Sequence, residues 1–219
     1  MHHEPSGREA SAIQDDAGSC YVFAYGSLLN AGSARRTLSR FRVDECAPAR
    51  LEGHVRTFDV AFPNDGSQPD KAYFLPDGSR PATVLLANVR PDPGGASANG
   101  VLVPVDAADL RRLMVRERRY ALVDVTDRVQ PYPGWATSRA RVAVFIGRPR
   151  FIVPAAASIG IASSAYLATI EQGVREWDRR CPGFAADYAA STRLPGADRI
   201  APLRRVDLLE DTAGPSAES

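Results

Sequence analysis

Residues 100–120 read GVLVPVDAADLRRLMVRERRY, and this stretch joins a β-rich run directly to an amphipathic helical pattern. The first six residues are apolar and rich in valine, which predicts a strand. Asp106 is a residue type that favours the N-cap of a helix. Leu110, Leu113 and Met114 then recur at the spacing of a helical stripe that faces a core. The stretch therefore predicts a buried strand followed at once by a helix.

The next position on that stripe is Glu117. A carboxylate on an apolar face loses hydration, which favours its protonated form. Such a group suits chemistry in which a proton is accepted and returned near neutral pH. The alternative is an arginine-paired glutamate at a helix end, because Arg116, Arg118 and Arg119 flank it. We expect the arginines to point elsewhere, since adjacent residues on a helix do not face each other.

A second candidate site follows the β-rich run CYVFAYGSLL at residues 20–29. The strand predicted at 21–25 leads into Gly26, Ser27 and Leu28. Glycine after a strand allows a sharp turn or a close approach to a ligand. The exposed N–H groups of such a turn can hold an anion. Taken alone, the same residues also fit an ordinary turn from a strand into a loop.

Together these segments resemble the γ-glutamylcyclotransferase-like family. A YGSL loop is followed at a distance by a glutamate with a nearby tyrosine, here Glu117 and Tyr120. Residues 163–177, SSAYLATIEQGVREW, are similar to a tyrosine-led helix of that family and contain Tyr166. The resemblance runs in order over roughly residues 20–192 and therefore covers most of the chain.

The resemblance implies a mixed α/β (α+β) fold, a small mixed β-barrel with flanking helices. The site would lie at one mouth, between the YGSL loop and the glutamate helix. The implied reaction is the intramolecular cyclisation of a γ-glutamyl amide to 5-oxoproline, with release of an amine or amino acid and without a cofactor. The implied residues are Glu117 as general acid and base and, for substrate binding, Tyr25, Gly26, Ser27, Leu28, Tyr120 and Tyr166.

Two questions stay open at this point. Residues 29–33 read LNAGS, which looks like a bacterial variant of a loop that varies across the family, so the leaving group is not transferred. It could be an amino acid, an amine, cysteinylglycine or part of a biosynthetic intermediate. The rival from another class is a small-molecule binding protein that kept the fold and lost the chemistry. Retention of Glu117 counts against it, because a binding module gains little from a desolvated carboxylate.

Composition limits the other possibilities. The chain has 219 residues, of which 44% are hydrophobic, which suits one sizeable globular domain. We expect that domain at 19–210, between a disordered N-terminal tail at 1–18 and a flexible C-terminal tail at 211–219. The net charge of +1 gives no reason to expect nucleic acid or an anionic membrane as a partner. The expected partner is a small γ-glutamyl substrate.

Several chemistries find no support in the sequence. Three cysteines without a C-x-x-C pair, and an N-terminus without an apolar core, predict a soluble cytoplasmic protein. Of three histidines, two lie at the N-terminus and none has metal-ligand spacing, so we expect no catalytic metal. Neither a G-x-S-x-G elbow nor a phosphate-binding glycine motif is present, so no serine hydrolase and no nucleotide cofactor are expected.

The remaining patterns predict many strands early in the chain and helices inserted late. Without regular strand–helix alternation, they favour a mixed α/β or α+β domain over a doubly wound sheet. The further strands are predicted within 50–62 and at 81–89, 122–125 and 141–146. Helices are predicted at 31–40, from 163 or 164 onward, and at 184–190, and a loop at 91–99.

Overall fold

The computed structural model describes residues 20–138, 140–154 and 159–208. These residues hold twelve β-strands and four α-helices. The predicted mixed α/β class is confirmed. The tails predicted at 1–18 and 211–219 lie outside the described residues. The single domain at 19–210 stays a prediction. No helix in the described part of the chain is long and apolar enough to cross a bilayer.

Ten of the strands form one sheet, and the other two pair with each other. The strands are β1 (Cys20–Ala24), β2 (Ala47–Glu52), β3 (His54–Pro63), β4 (Lys71–Phe74), β5 (Thr83–Pro91), β6 (Ser97–Val105), β7 (Tyr120–Asp124), β8 (Val129–Pro131), β9 (Val142–Gly147), β10 (Ile161–Ser163), β11 (Ile200–Ala201) and β12 (Arg204–Asp207). The large sheet has the order β11-β10-β5-β3-β6-β1-β9-β7, with β2 joined to β6 and β8, while β4 pairs with β12.

Polar side chains cap three of the four helices, two of them as the sequence predicts, whereas the helix that follows Gly183 has no side-chain cap. Asp106 accepts a hydrogen bond from the backbone of Asp109, and Ser163 accepts one from the backbone of Tyr166. The helices are α1 (Ala31–Arg35), α2 (Ala107–Arg116), α3 (Ser164–Arg180) and α4 (Phe184–Ala190).

Strand β1 lies in the interior of the large sheet. It pairs antiparallel with β6 along its whole length and parallel with β9 on its other side. Val22 and Phe23 are each 1% exposed, so the strand is buried on both faces. The loop that follows β1 is therefore anchored by a strand with partners on both sides.

The sheet is strongly curled, as contacts between strands that are far apart in its order show. The backbone N–H of Gly147 in β9 donates to Oδ1 of Asn88 in β5 at 2.9 Å. The hydroxyl of Tyr120 in β7 donates to the carbonyl of Ala87, also in β5, at 2.7 Å. Three strands separate β5 from β9 in the sheet order. A curl of this kind is what the expected small barrel requires.

Several element boundaries differ from the sequence prediction. The helix predicted at 31–40 ends at Arg35. The segment 50–62 contains a turn between two strands, where Gly53 adopts a φ of +66°. The loop predicted at 91–99 is shorter, because β6 begins at Ser97. The short helix predicted at 184–190 is confirmed.

Candidate active site

A cavity of about 880 Å³ lies beside α2, next to the loop after β1 and the start of α3. All seven site residues implied by the sequence line this cavity, although they come from three separate parts of the chain. They are Tyr25, Gly26, Ser27, Leu28, Glu117, Tyr120 and Tyr166.

The loop after β1 leaves backbone donors free. A tight turn follows Gly26, because the N–H of Leu29 donates to the Gly26 carbonyl at 3.0 Å. The N–H groups of Ser27 and Leu28 have no acceptor among the described residues. A Cβ on Gly26 would lie 3.4 Å from the hydroxyl of Tyr166, so the loop backbone closely approaches that side chain. These free donors are suited to hold a negatively charged oxygen.

A buried arginine that the sequence analysis missed fixes this loop. Arg56 has no exposed surface, and its Nε donates to the carbonyl of Tyr25 at 2.8 Å. Its Nη1 donates to the hydroxyl of Thr192 at 2.7 Å, and its Nη2 donates to the carbonyl of Asn99. Burial lowers the pKa of Arg56 to about 10. The guanidinium thus ties the end of β1 to β6 and to the segment after α4.

Glu117 is the residue that caps the C-terminus of α2, which ends at Arg116. Its side chain is 20% exposed, and its Oε1 lies 3.0 Å from Nε of Arg116. The expectation that the flanking arginines point away is therefore wrong for Arg116, because the helix ends between the two residues. The alternative given by the sequence, a glutamate paired with an arginine at a helix end, matches the contact between Glu117 and Arg116. Glu117 nevertheless also lines the cavity.

Arg116 connects Glu117 to the binding loop. Its Nη2 donates to the hydroxyl of Ser27 at 2.9 Å, and its Nη1 donates to the hydroxyl of Thr37 at 2.8 Å. Nη1 also donates to the carbonyl of Ser33 in α1. The guanidinium therefore holds the carboxylate and the loop in one hydrogen-bonded group. The only signal for this role in the sequence is its position directly before Glu117.

Three tyrosines surround the same space. The hydroxyls of Tyr25 and Tyr120 donate to the carbonyls of Phe145 and Ala87. The Tyr166 hydroxyl accepts only a long hydrogen bond of 3.4 Å, and its own proton has no acceptor among the described residues. Burial raises the pKa of all three phenols, and the negative charge of Glu117 raises it further. They therefore remain protonated donors at neutral pH.

Tyr120 reaches the cavity by a different route from the one expected. The pattern of residues 100–120 predicts a helix that continues to Tyr120, but Tyr120 is the first residue of β7. Its backbone N–H donates to the carbonyl of Glu117 at 2.8 Å, which closes the turn between α2 and β7. The two side chains line one cavity because of this turn.

Charged residues of β4 and β12, and of the segments just before β4 and β7, form a further wall of the cavity. Lys71, Arg119 and Arg205 lie there with the carboxylates of Asp70 and Asp207. Burial lowers the pKa of Lys71 to about 8, and the positive charges of Arg205 and Arg119 contribute. Lys71 has no recognisable signal in the sequence, because it is a single lysine in a short strand.

The described residues offer no metal-binding cluster, and the three cysteines do not line the cavity. In the described part of the chain, no cluster of three or more histidine, cysteine or acidic residues could hold a metal ion. Cys20, Cys46 and Cys181 are free and buried, and burial raises the pKa of the Cys46 thiol to about 12.

Comparison with known proteins gives a likeness of fold. No family model and no curated protein sequence matches the chain. A solved structure described as "uncharacterized protein loc79017 from Homo sapiens" aligns with a TM-score of 0.54 and 18% identity, over 78% of this chain and 87% of the other. A structure described as "Gamma-glutamyl cyclotransferase" aligns with a TM-score of 0.53 and 18% identity, over 78% and 88%. The chain therefore has the mixed α/β fold of γ-glutamyl cyclotransferase.

Proposed function

We propose that this protein is a γ-glutamylcyclotransferase-type enzyme. It would convert a γ-glutamyl amide into 5-oxoproline and release the attached amine or amino acid. The observation that carries the proposal is that Glu117 and the free N–H groups of Ser27 and Leu28 lie in one cavity and are joined through Arg116. The likeness of fold to γ-glutamyl cyclotransferase supports the same reaction class.

The reaction needs orientation more than it needs a reactive protein group. The α-amine of the substrate attacks its own γ-carbonyl carbon, a new C–N bond forms, and the bond to the leaving nitrogen breaks. Because both reacting groups belong to one molecule, holding them in line removes much of the barrier. The α-ammonium gives one proton to Glu117 and attacks as the amine, and the same nitrogen loses a second proton as the lactam forms. Glu117 returns one proton to the leaving nitrogen, and the released amine takes up the other and departs as an ammonium, so both protons balance.

The loop and the tyrosines would bind the rest of the reacting centre. Negative charge develops on the γ-carbonyl oxygen during the attack, and preorganised N–H donors stabilise such charge strongly. The N–H groups of Ser27 and Leu28 are suited to this oxygen or to the α-carboxylate of the substrate. The hydroxyl of Tyr166 has an uncommitted proton that can be donated to the same region.

The test is to incubate the protein with a panel of γ-glutamyl amino acids, γ-glutamyl amines and glutathione. The release of 5-oxoproline from each compound is measured by mass spectrometry. We expect Glu117→Gln to lower turnover by roughly two to four decades while the protein stays folded, which is the usual contribution of a positioned acid–base group. Glu171→Gln, at an exposed position of α3 outside the cavity, is the matched control. Turnover at the wild-type level in Glu117→Gln would contradict the proposal.

One observation favours the alternative of a binding protein that has lost the chemistry. Oε1 of Glu117 already lies 3.0 Å from Nε of Arg116, so this ion pair occupies the carboxylate before any substrate is bound. This alternative predicts that γ-glutamyl compounds bind and that none releases 5-oxoproline. Calorimetric titration with the same panel separates the two functions.

The cytoplasmic location and a role in bacterial glutathione metabolism remain part of the proposal. The three free cysteines support a reducing compartment. Fractionation of cells that express the protein would test the location.

A further inference from the structure

Two cations with little exposed surface, the partly buried Lys71 and the buried Arg119, share one carboxylate at the β4 wall of the cavity. The side chains of Lys71 and Arg119 are 14% and 2% exposed. Oδ2 of Asp70 lies 3.6 Å from Nζ of Lys71, and Oδ1 lies 3.3 Å from Nη2 of Arg119. The neighbouring Arg205 has its own partner, Asp207. One positive charge at this wall is therefore not balanced by an adjacent carboxylate.

The hydrogen-bond donors of these cations are also incompletely used. The Nε of Arg119 is buried without a hydrogen-bond partner among the described residues, while Nη2 donates to Gln68 and Asp70. The contact between Lys71 and Asp70 is an ion pair longer than a hydrogen bond. Buried donors without acceptors are costly and uncommon in folded proteins. An anion in the cavity would supply an acceptor for the ammonium of Lys71 and a second negative charge beside the guanidinium of Arg119.

The surrounding groups do not remove this need. Arg119 and Arg205 disfavour the charge on Lys71, whereas Asp70 and Glu117 favour it. Glu117 is itself engaged by Arg116. Burial lowers the pKa of Lys71 only to about 8, so the ammonium is largely charged at neutral pH. Phe62 lies beneath both cations, with its ring centre 4.3 Å from Cζ of Arg119 and 5.4 Å from Nζ of Lys71.

We propose that Lys71 and Arg119 form an anion-binding subsite of the cavity, which takes a carboxylate carried by the leaving part of the substrate. This inference rests on the proposed function and adds the chemistry of the leaving group. Since two cationic side chains with free donors lie in the cavity that holds Glu117, the substrate is a γ-glutamyl amino acid or peptide and not a γ-glutamyl amine.

A matched pair of substrates tests the subsite. γ-Glutamylalanine and γ-glutamylethylamine differ only in the carboxylate of the leaving group. We expect Lys71→Met to lower kcat/KM for γ-glutamylalanine by about tenfold to a hundredfold, the range for a lost hydrogen bond to a charged group. The value for γ-glutamylethylamine should change by less than about threefold. Arg175→Met, which removes an exposed charge on α3 outside the cavity, should change neither value.

Two results of that experiment would overturn the subsite. In one, Lys71→Met lowers kcat/KM for both substrates equally, which would mean that Lys71 serves the reaction or the fold and does not recognise the leaving group. In the other, the wild-type protein uses γ-glutamylethylamine as well as γ-glutamylalanine. Lys71→Arg keeps the charge and should retain most of the preference for γ-glutamylalanine.

A second measurement separates failure of the subsite from failure of the proposed function. Lys71 is the only lysine of the chain, so isotope-labelled lysine gives a single side-chain NMR signal. In Glu117→Gln, γ-glutamylalanine should raise the titration midpoint of that signal, because a bound carboxylate favours the charged ammonium. γ-Glutamylethylamine should leave it unchanged. If no substrate releases 5-oxoproline but the midpoint rises, the proposed function fails and the subsite stands. An unchanged midpoint overturns the subsite.

Discussion

Arg116 is the residue that joins the proposed acid–base group to the proposed binding loop. Its guanidinium contacts the carboxylate of Glu117 and the hydroxyls of Ser27 and Thr37. Arg116→Met should lower kcat/KM by about a hundredfold, because two or more charge-assisted hydrogen bonds are lost together. Arg116→Lys should recover only part of the activity, since an ammonium cannot reproduce the planar fork.

The measurement is the rate of 5-oxoproline release, with thermal unfolding as the control for folding. Full activity in Arg116→Met would show that Glu117 and the loop are positioned without it.

Two tyrosines of the site should respond differently to loss of the hydroxyl. Tyr120→Phe leaves the buried carbonyl of Ala87 without its donor, so the free energy of unfolding should fall by about 1–2 kcal/mol. Tyr166→Phe removes only a long contact of 3.4 Å. It should therefore leave stability nearly unchanged and lower kcat/KM. Denaturant unfolding and steady-state kinetics on both variants test this, and the reverse pattern would contradict it.

The elements differ in how well the sequence predicts them. The helix α3 was predicted because Leu167, Ile170, Val174 and Trp177 form a long apolar stripe, and all four are buried. The end of α2 at Arg116 is not predicted, because the residues that follow it also favour a helix locally. Pairing of β7 with β9 takes Tyr120 into a strand instead, which is a tertiary contact without a local signal.

The same distinction applies to the candidate site. Glu117 and the YGSL loop follow recognisable local patterns and were predicted. Arg56 and Lys71 have roles only through residues distant in the chain, such as Thr192 and Arg205. Spacing along one sequence carries no information on those contacts, so neither residue was identified.

Gly173 lets α3 pack directly on the loop after β1. A Cβ at this position would lie 2.5 Å from the carbonyl carbon of Leu29 and 2.6 Å from the backbone nitrogen of Asn30. Gly173→Ala should therefore lower both the Tm and kcat/KM, although alanine alone favours a helix by about 1 kcal/mol. The indole of Trp177 donates to the carbonyl of Leu29 at 3.1 Å and would be displaced as well.

Gln172→Ala provides the control, because the neighbouring position on α3 is exposed. A rise in the Tm of Gly173→Ala would show that the helix and loop can separate without cost.

At the scale of the whole molecule, positive charge is concentrated in the cavity. Seven basic and three acidic side chains line it, whereas the net charge of the chain is only +1. Such concentration attracts anionic ligands and is screened by salt, with a Debye length of about 10 Å at 0.1 M. Raising the NaCl concentration to about 0.5 M should therefore increase KM for γ-glutamylalanine more than it changes kcat. A fall in kcat at constant KM would argue against electrostatic capture.

The pairing of β4 with β12 has a consequence for synthesis of the protein. Phe74 and Arg204 are register partners, although they are far apart in the chain. During translation, β12 leaves the ribosome after every other described strand. Strand β4 therefore has no pairing partner until β12 has been synthesised. An unpaired strand edge invites association with other chains. A chain whose synthesis stops before Arg204 would thus have an unpaired strand edge at Lys71 and an incomplete cavity wall.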